Sequence, residues 1–213
     1  MSNMPTRLVL IRHGEANAFA QRLVHSHDCT GLTPKGKRQA AALRKRLAHT
    51  RELSQASAIC ASLMRRAVET AEIIAPAVGD GTLPLDTDCG FCEQHQGQGD
   101  GLTWEDFEAR YGSFDRFAER SRVAAPGGES TDDLVARAGS ALRDLVESRA
   151  GATTVVVCHG GVVGAALEEF VEVPFGGVTR YVENTSLTEL VRADDGRWWL
   201  VRLNDAAHLL PTT

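Results

Sequence analysis

Two short apolar runs, each ending in a His-Gly step, constrain this chain more than any other feature. The first is Leu8-Val9-Leu10-Ile11, which continues as Arg12-His13-Gly14. The second, Thr153 to Val157, continues as Cys158-His159-Gly160-Gly161. Branched apolar runs without polar alternation suit strands covered on both faces, as in a parallel sheet between two helix layers. Ala56 to Ala61 is a third candidate strand.

Helical patterns separate these runs. Pro34 to Ala48 opens on Thr33-Pro34, a capping residue followed by a first-turn proline, and carries Ala40, Ala41, Leu43 and Leu47 at helical spacing. Leu63 to Ala75 sets Ala67, Thr70, Ala71 and Ile74 on one side. Ser130 to Arg149 starts with a capping serine and two aspartates, then repeats Leu134, Val135, Ala138, Leu142 and Leu145; Val162 to Val171 follows the last run. The alternation predicts a three-layer αβα sandwich with a mostly parallel sheet. Ser186 to Val191 and Trp198 to Leu203 flank Asp194-Asp195-Gly196, which predicts a hairpin and hence an antiparallel edge near the C-terminus. That exposed edge could support a homodimer. Between Thr87 and Gly128 the pattern weakens, apart from a short helix predicted at Trp104 to Tyr111. We read residues 87–128 as an insertion that covers a site within one domain of 213 residues.

Bulk properties narrow the function classes. The net charge of -5 gives no basic field for nucleic acid or an anionic membrane. An anionic substrate would therefore need a local positive pocket. No stretch approaches the ~18 apolar residues of a membrane span, and the polar start, Met1 to Arg7, lacks the pattern of a secretory leader. A cytoplasmic protein is expected. The five scattered cysteines, Cys29, Cys60, Cys89, Cys92 and Cys158, fit reduced thiols. Cys89-x-x-Cys92 with His95 lacks a second ligand pair, and the His25, His27, Cys29 group lacks support elsewhere, so no metal is expected. Arg44-Lys45-Arg46 reads as the solvated face of a helix.

In an open α/β sheet, ligands bind beyond the carboxyl ends of the strands. If the two His-Gly strands are parallel neighbours, both histidines reach one edge. The glycines then admit a ligand close to the backbone. The helix after Gly161 would aim its N–H groups at the same place, which favours an anion.

At this point the residues resemble the histidine phosphatase superfamily, whose relatives include the cofactor-dependent phosphoglycerate mutases. Arg12-His13-Gly14-Glu15 is similar to the motif that names the family. Gly31-Leu32-Thr33-Pro34-Lys35-Gly36 resembles its turn into the first helix, and Ser62 to Ala71 the block that supplies a second phosphate-binding arginine, which aligns to Arg66 and not Arg65. Phe91-Cys92-Glu93 with Gly97 and Asp100-Gly101 resembles the acid-bearing segment, Pro126 to Ser130 the entry to the late helix, and Cys158 to Gly161 the second histidine motif. Ala16 and Phe19 depart from usually polar family positions.

The resemblance implies that His13 attacks phosphorus as a neutral imidazole and forms phosphohistidine, its other ring nitrogen donating to a backbone carbonyl. It implies that Arg12, Arg66 and His159, the last if protonated beside the phosphate dianion, bind the phosphoryl oxygens, with Gly160 at the same place. Glu93 is the expected acid for the leaving oxygen, its pKa raised by a partly closed pocket. Glu15 is expected to orient the pocket. The resulting expectation is a metal-independent phosphomonoesterase acting on a small phosphorylated metabolite, with no cofactor. A mutase that returns the phosphoryl group to substrate is one alternative, and a catalytically silent phosphate-binding protein is another.

Overall fold

Period-two alternation along the first strand divides its side chains between two cores. In the computed structural model, which describes residues 5–24, 30–177 and 180–210, strand β1 (Thr6–Arg12) sends Leu8 and Leu10 to one face and Val9 and Ile11 to the other. All four are essentially inaccessible to solvent. Helix α1 (Asn17–Ala20) is a single turn after β1. Helix α2 (Pro34–Thr50), strand β2 (Ala56–Ala61) and helix α3 (Arg65–Ile74) follow. Strand β3 (Leu85–Thr87), helix α4 (Trp104–Tyr111), helix α5 (Thr131–Ser148) and strand β4 (Thr153–Cys158) come next. Helix α6 (Gly160–Val171) and the hairpin strands β5 (Leu187–Arg192) and β6 (Trp198–Asp205) complete the order.

The sheet runs β3-β2-β4-β1-β5-β6. Its first four strands are parallel, and β5 and β6 are antiparallel. Helices α5 and α6 pack with Leu8, Leu10, Val156 and Cys158 on one face. Helices α2 and α3 pack with Val9, Ile11, Val155 and Val157 on the other. The αβα sandwich with its antiparallel C-terminal edge is therefore as the sequence implies. Each fully buried Leu, Ile or Val contributes roughly 1.5–3 kcal/mol, so both layers are well anchored.

The capping chemistry is also in place. Thr33 Oγ1 accepts from the Gly36 N–H at 2.9 Å. Ser130 and Asp133 form a reciprocal capping box at the start of α5. The hairpin closes at Gly196, whose φ of 84° suits glycine. Helix α3 begins at Arg65, two residues later than the pattern suggests, because Leu63 lies in the bend after β2 and Met64 is an extended cap.

One reading of the helices needs correction. Arg46 does not belong to a solvated face. Its guanidinium pairs with Glu52 at 2.8 Å and Asp205 at 2.6 Å, and Arg202 extends the network to Glu52 and Glu189. Glu52 lies beyond the end of α2 and Asp205 lies 159 residues away, so helical spacing could not show them. The two tryptophans of β6 also divide: Trp198 stacks on Phe170 with ring centroids 4.6 Å apart, whereas Trp199 is exposed on the edge strand. His25, His27 and Cys29 lie outside the described residues. No helix among the described residues is long and apolar enough to cross a membrane.

Candidate active site

Strand register brings the two histidines together. Arg12 pairs with Cys158 across the β1–β4 ladder, so His13 and His159 stand one step beyond it on adjacent strands. The His13 N–H donates to the Cys158 carbonyl at 3.0 Å, and the two imidazole rings lie 5.0 Å apart. Both are buried.

The tautomer of His13 follows from its neighbours. His13 Nδ1 lies 2.6 Å from the Gly14 carbonyl, an acceptor, so Nδ1 carries the proton. Nε2 then keeps a lone pair, and it accepts from Arg66 Nε at 3.2 Å. Burial, with the charges of Arg66 and Arg12, pushes the His13 pKa well below the usual imidazole value, so the ring is neutral at neutral pH. For His159, Nε2 lies 2.7 Å from Ser62 Oγ, a hydroxyl that also accepts from the Met64 N–H at 3.3 Å. His159 Nδ1 has no hydrogen-bond partner within the protein. Burial and the nearby cations push the His159 pKa well down, so the ring is neutral with no phosphate bound.

The arginines surround the same point. Arg66 is buried, and its Nη2 also reaches Met64 Sδ. Arg65 instead turns outward and pairs with Glu69. Arg12 Nη1 donates to the Val182 carbonyl, while its Nε has no partner. The turn after β1 is pressed against α2: a Cβ on Gly36 would stand 2.1 Å from the Glu15 carbonyl oxygen. Glu15 accepts from Lys35 at 2.8 Å and Thr33 at 3.0 Å, as an orienting residue would.

Glu93 approaches from the irregular segment between β3 and α5. Its Oε1 accepts from the Gln94 N–H and its Oε2 from the Gly161 N–H, both at 3.0 Å. A Cβ on Gly161 would lie 2.2 Å from the carboxylate, so glycine is required there for steric reasons. The N-terminal Gly161 N–H of α6 therefore serves Glu93 directly. The raised pKa expected for Glu93 is corrected: burial raises it, but Arg116, the two N–H donors and Arg66 outweigh burial and lower it. Sequence reading foresaw the enclosure but not these donors. Gly160, by contrast, opens on free space at the cleft wall.

Several residues were missed from sequence. Thr70 Oγ1 accepts from the Gly14 N–H at 3.1 Å. Asn184 Nδ2 donates to the His13 carbonyl at 2.9 Å, beside Thr185, which holds the left-handed φ of 60° rare for a β-branched residue. Ser62 and Thr70 lie inside the block quoted for Arg66, so that block held their signal. Arg116 had none. It lines both of two adjoining clefts of about 390 Å³, together with Arg12, Phe19 and Glu93. Its Nε and Nη2 are buried without a partner. Phe19 is a largely exposed wall of these clefts, and Ala16 is buried in a bridge to Leu32. A larger cleft of about 500 Å³ lies at the β3 edge beside Cys60 and Arg149, and neither histidine reaches it. Among the described residues no group of His, Cys, Asp or Glu is arranged to hold a metal ion.

Known proteins agree with this geometry. Residues 8–206 match the model of the histidine phosphatase superfamily, branch 1. Phosphoglycerate mutase-like protein 4 of Arabidopsis thaliana is 32% identical over 208 residues, 96% of this chain and 87% of that protein. The metal-independent phosphoserine phosphatase of the same plant is 29% identical over 219 residues, 96% of this chain and 83% of that protein. Among solved structures, YhfR of Bacillus stearothermophilus superposes with a TM-score of 0.81 at 30% identity, covering 95% of this chain and 98% of that one. A mycobacterial glucosyl-3-phosphoglycerate phosphatase gives 0.79 at 26% identity, with 94% and 99% covered. With the match running through both histidine strands and on into the C-terminal hairpin, the chain belongs to branch 1 of the histidine phosphatase superfamily.

Proposed function

We propose that the protein hydrolyses a small phosphomonoester through a phosphohistidine on His13, without a metal. One observation carries this reading. Arg12 Nε and, in its Nδ1–H tautomer, His159 are buried donors without acceptors beside an imidazole nitrogen whose lone pair accepts from Arg66. Native proteins rarely leave buried donors unsatisfied. A phosphoryl group bonded to that nitrogen would supply oxygen acceptors for both, and for Arg66 as it leaves Nε2.

In the reaction, His13 Nε2 attacks phosphorus as the ester P–O bond breaks, and Glu93, protonated beside the bound phosphate dianion, gives that proton to the leaving oxygen. Glu93 then removes a proton from water, which cleaves the P–N bond and frees His13 and phosphate. Donors preorganised around the developing charge supply most of the acceleration. Residues 87–128, which bring Glu93 and Arg116, form the roof of this site.

Arg116 narrows the substrate class. It stands on the outer side of Glu93, where the leaving alcohol would lie, with two buried donors unused. A carboxylate on that alcohol would satisfy them. Phosphorylated hydroxy or amino acids fit, in keeping with the names of the phosphoserine and glucosyl-3-phosphoglycerate phosphatases among the relatives. Transfer back to substrate, as in a mutase, uses the same residues; the mutase-like relative keeps it as a second reading.

The test is phosphate release in EDTA from an aryl phosphate and a panel of phosphorylated acids, comparing wild type with His13→Ala. Release by wild type alone is expected. Equal release by both would remove His13 from the mechanism. No release from any substrate, with isotope exchange between phosphorylated acids, would favour the mutase.

A further inference from the structure

The Cys89-x-x-Cys92 pair takes no part in the phosphoryl chemistry above, yet the fold builds a second reactive constellation around it. Cys89 to Phe91 form one tight 3-10 turn, closed by the Cys92 N–H donating to the Cys89 carbonyl at 2.9 Å. The turn brings both cysteines onto one three-residue step of backbone. Cys89 is half-buried, whereas Cys92 is fully enclosed. His95 Nε2 lies 3.6 Å from Cys89 Sγ, and His95 Nδ1 lies 3.7 Å from Glu129 Oε1. Glu129 is fixed in turn. It accepts from the His95 N–H at 3.0 Å and from Arg137 Nε and Nη2 at 2.7 and 2.8 Å. A thiol beside an imidazole oriented by a carboxylate is the arrangement that generates a nucleophilic thiolate.

The turn is also coupled to the acid. Arg137 Nη1 donates to the carbonyls of Cys89, Gly90 and Cys92 at 3.0, 3.0 and 3.2 Å. Its Nη2 reaches the carbonyl of Glu93 at 3.4 Å. Glu93 follows Cys92 directly, so any change in the turn is passed to the carboxylate resting on the Gly161 N–H.

We propose that Cys89 and Cys92 form a thiol–disulfide exchange site whose co-reactant is a low-molecular-weight disulfide, and that closing it displaces Glu93. His95 takes the proton of Cys89. The thiolate attacks one sulfur of the small disulfide, whose S–S bond breaks and releases one thiol. The Cys92 sulfur then attacks Cys89 Sγ, gives up its proton and expels the second thiol. Two protein thiols are oxidised and one disulfide is reduced to two thiols. Burial and the Cys89 contact push the Cys92 thiol up to about 12, which suits a resolving partner that reacts only when Cys89 delivers the mixed disulfide to it. The bond would hold the two Cβ atoms at about 3.8 Å and draw the Cys92–Glu93 backbone toward Cys89. The effect on turnover rests on the reading of Glu93 as the acid; the thiol chemistry does not.

The experiment uses the full chain carrying Cys29→Ser, incubated with glutathione disulfide. Disulfides are mapped by mass spectrometry, and turnover is read on an alkyl and an aryl phosphate. A single Cys89–Cys92 disulfide is expected. Turnover of the alkyl ester should fall on the order of tenfold, part of the 10²–10⁴ that a general acid supplies. The aryl ester should be affected less, and dithiothreitol should restore both. Cys89→Ser should make turnover indifferent to the oxidant. Glu129→Gln should slow disulfide formation and move its rate profile to higher pH. The proposal is overturned if no Cys89–Cys92 disulfide forms under excess oxidant, or if the oxidised protein turns over both esters as before. If the reduced protein hydrolyses neither ester, the disulfide map still decides the thiol site, and only the phosphatase reading fails.

Discussion

The inner and outer ends of the cleft are built by different rules. The inner end, His13, His159, Arg66 and Ser62, hangs on strand exits and the first turn of α3, and the β1–β4 and β2–β4 ladders fix those exits. Its donors are buried and its rings neutral. The outer end, Phe19, Lys35, Glu93, Arg116 and Asn184, comes from a single-turn helix, the start of α2 and irregular segments. Its charges are set by contacts between loops. On the proposed reading this is a division of labour: sheet register places the groups for the phosphoryl chemistry, and loops select the alcohol that leaves.

Substitutions can test that division, beginning with the largest effect. Arg66→Ala should lower kcat by on the order of 10²–10³ on every substrate alike, since it removes a donor to the transferred group itself. Arg65→Ala should change little, because its partner is Glu69 on the surface. Comparable losses in steady-state kinetics would undo the assignment of the inner end. Glu93→Gln should cost about 10² or more on alkyl esters and far less on aryl phosphates, which leave without strong acid. Equal slowing would mean that Glu93 belongs functionally with the inner end.

Arg116→Gln isolates the outer end. We expect KM for carboxylate-bearing phosphoesters to rise roughly tenfold, the scale of one charge-assisted hydrogen bond, while an aryl phosphate is unaffected. Loss of aryl phosphate turnover in this variant would place Arg116 on the phosphoryl group instead.

The smallest effect is a shift in pH profile. His13 has a lowered pKa, so its neutral, nucleophilic form persists below 6.5 and the acid loss of kcat/KM should lie below that value. Glu93 is also lowered, so its protonated form grows as pH falls. Together they place the optimum of kcat/KM on the acid side of neutrality. Arg66→Lys keeps a charge but not the fork, and should move the optimum less than Arg66→Ala does. An optimum above neutrality would mean that Glu93 is not the proton donor in the free enzyme.

Much of the inner end was legible in sequence because its determinants are local. An unbroken apolar run, a histidine and a glycine report a buried strand and its exit, and the block around Arg66 carried Ser62 and Thr70 with it. Helix caps at Thr33 and Ser130 were legible for the same reason. The outer end was not. Arg116 follows no periodic pattern, and its place beside Glu93 depends on how an irregular segment folds back. The charge of Glu93 was misread because burial could be guessed, whereas the N–H groups of Gln94 and Gly161 that oppose it could not. Arg46 failed in the same way, since Asp205 lies 159 residues away.

The sequence by itself determined the layered α/β architecture, the antiparallel edge and the two buried strands that end in histidine, because hydrophobic period and backbone sterics act over a few residues. Only the tertiary structure decided the pairing of the two histidine strands, the tautomer of His13, the ionisation of Glu93, the presence of Arg116 in the cleft and the placing of His95 between Cys89 and Glu129. Those properties depend on which donor faces which acceptor across long chain separations, and a proton's place is set by that last few ångströms of contact.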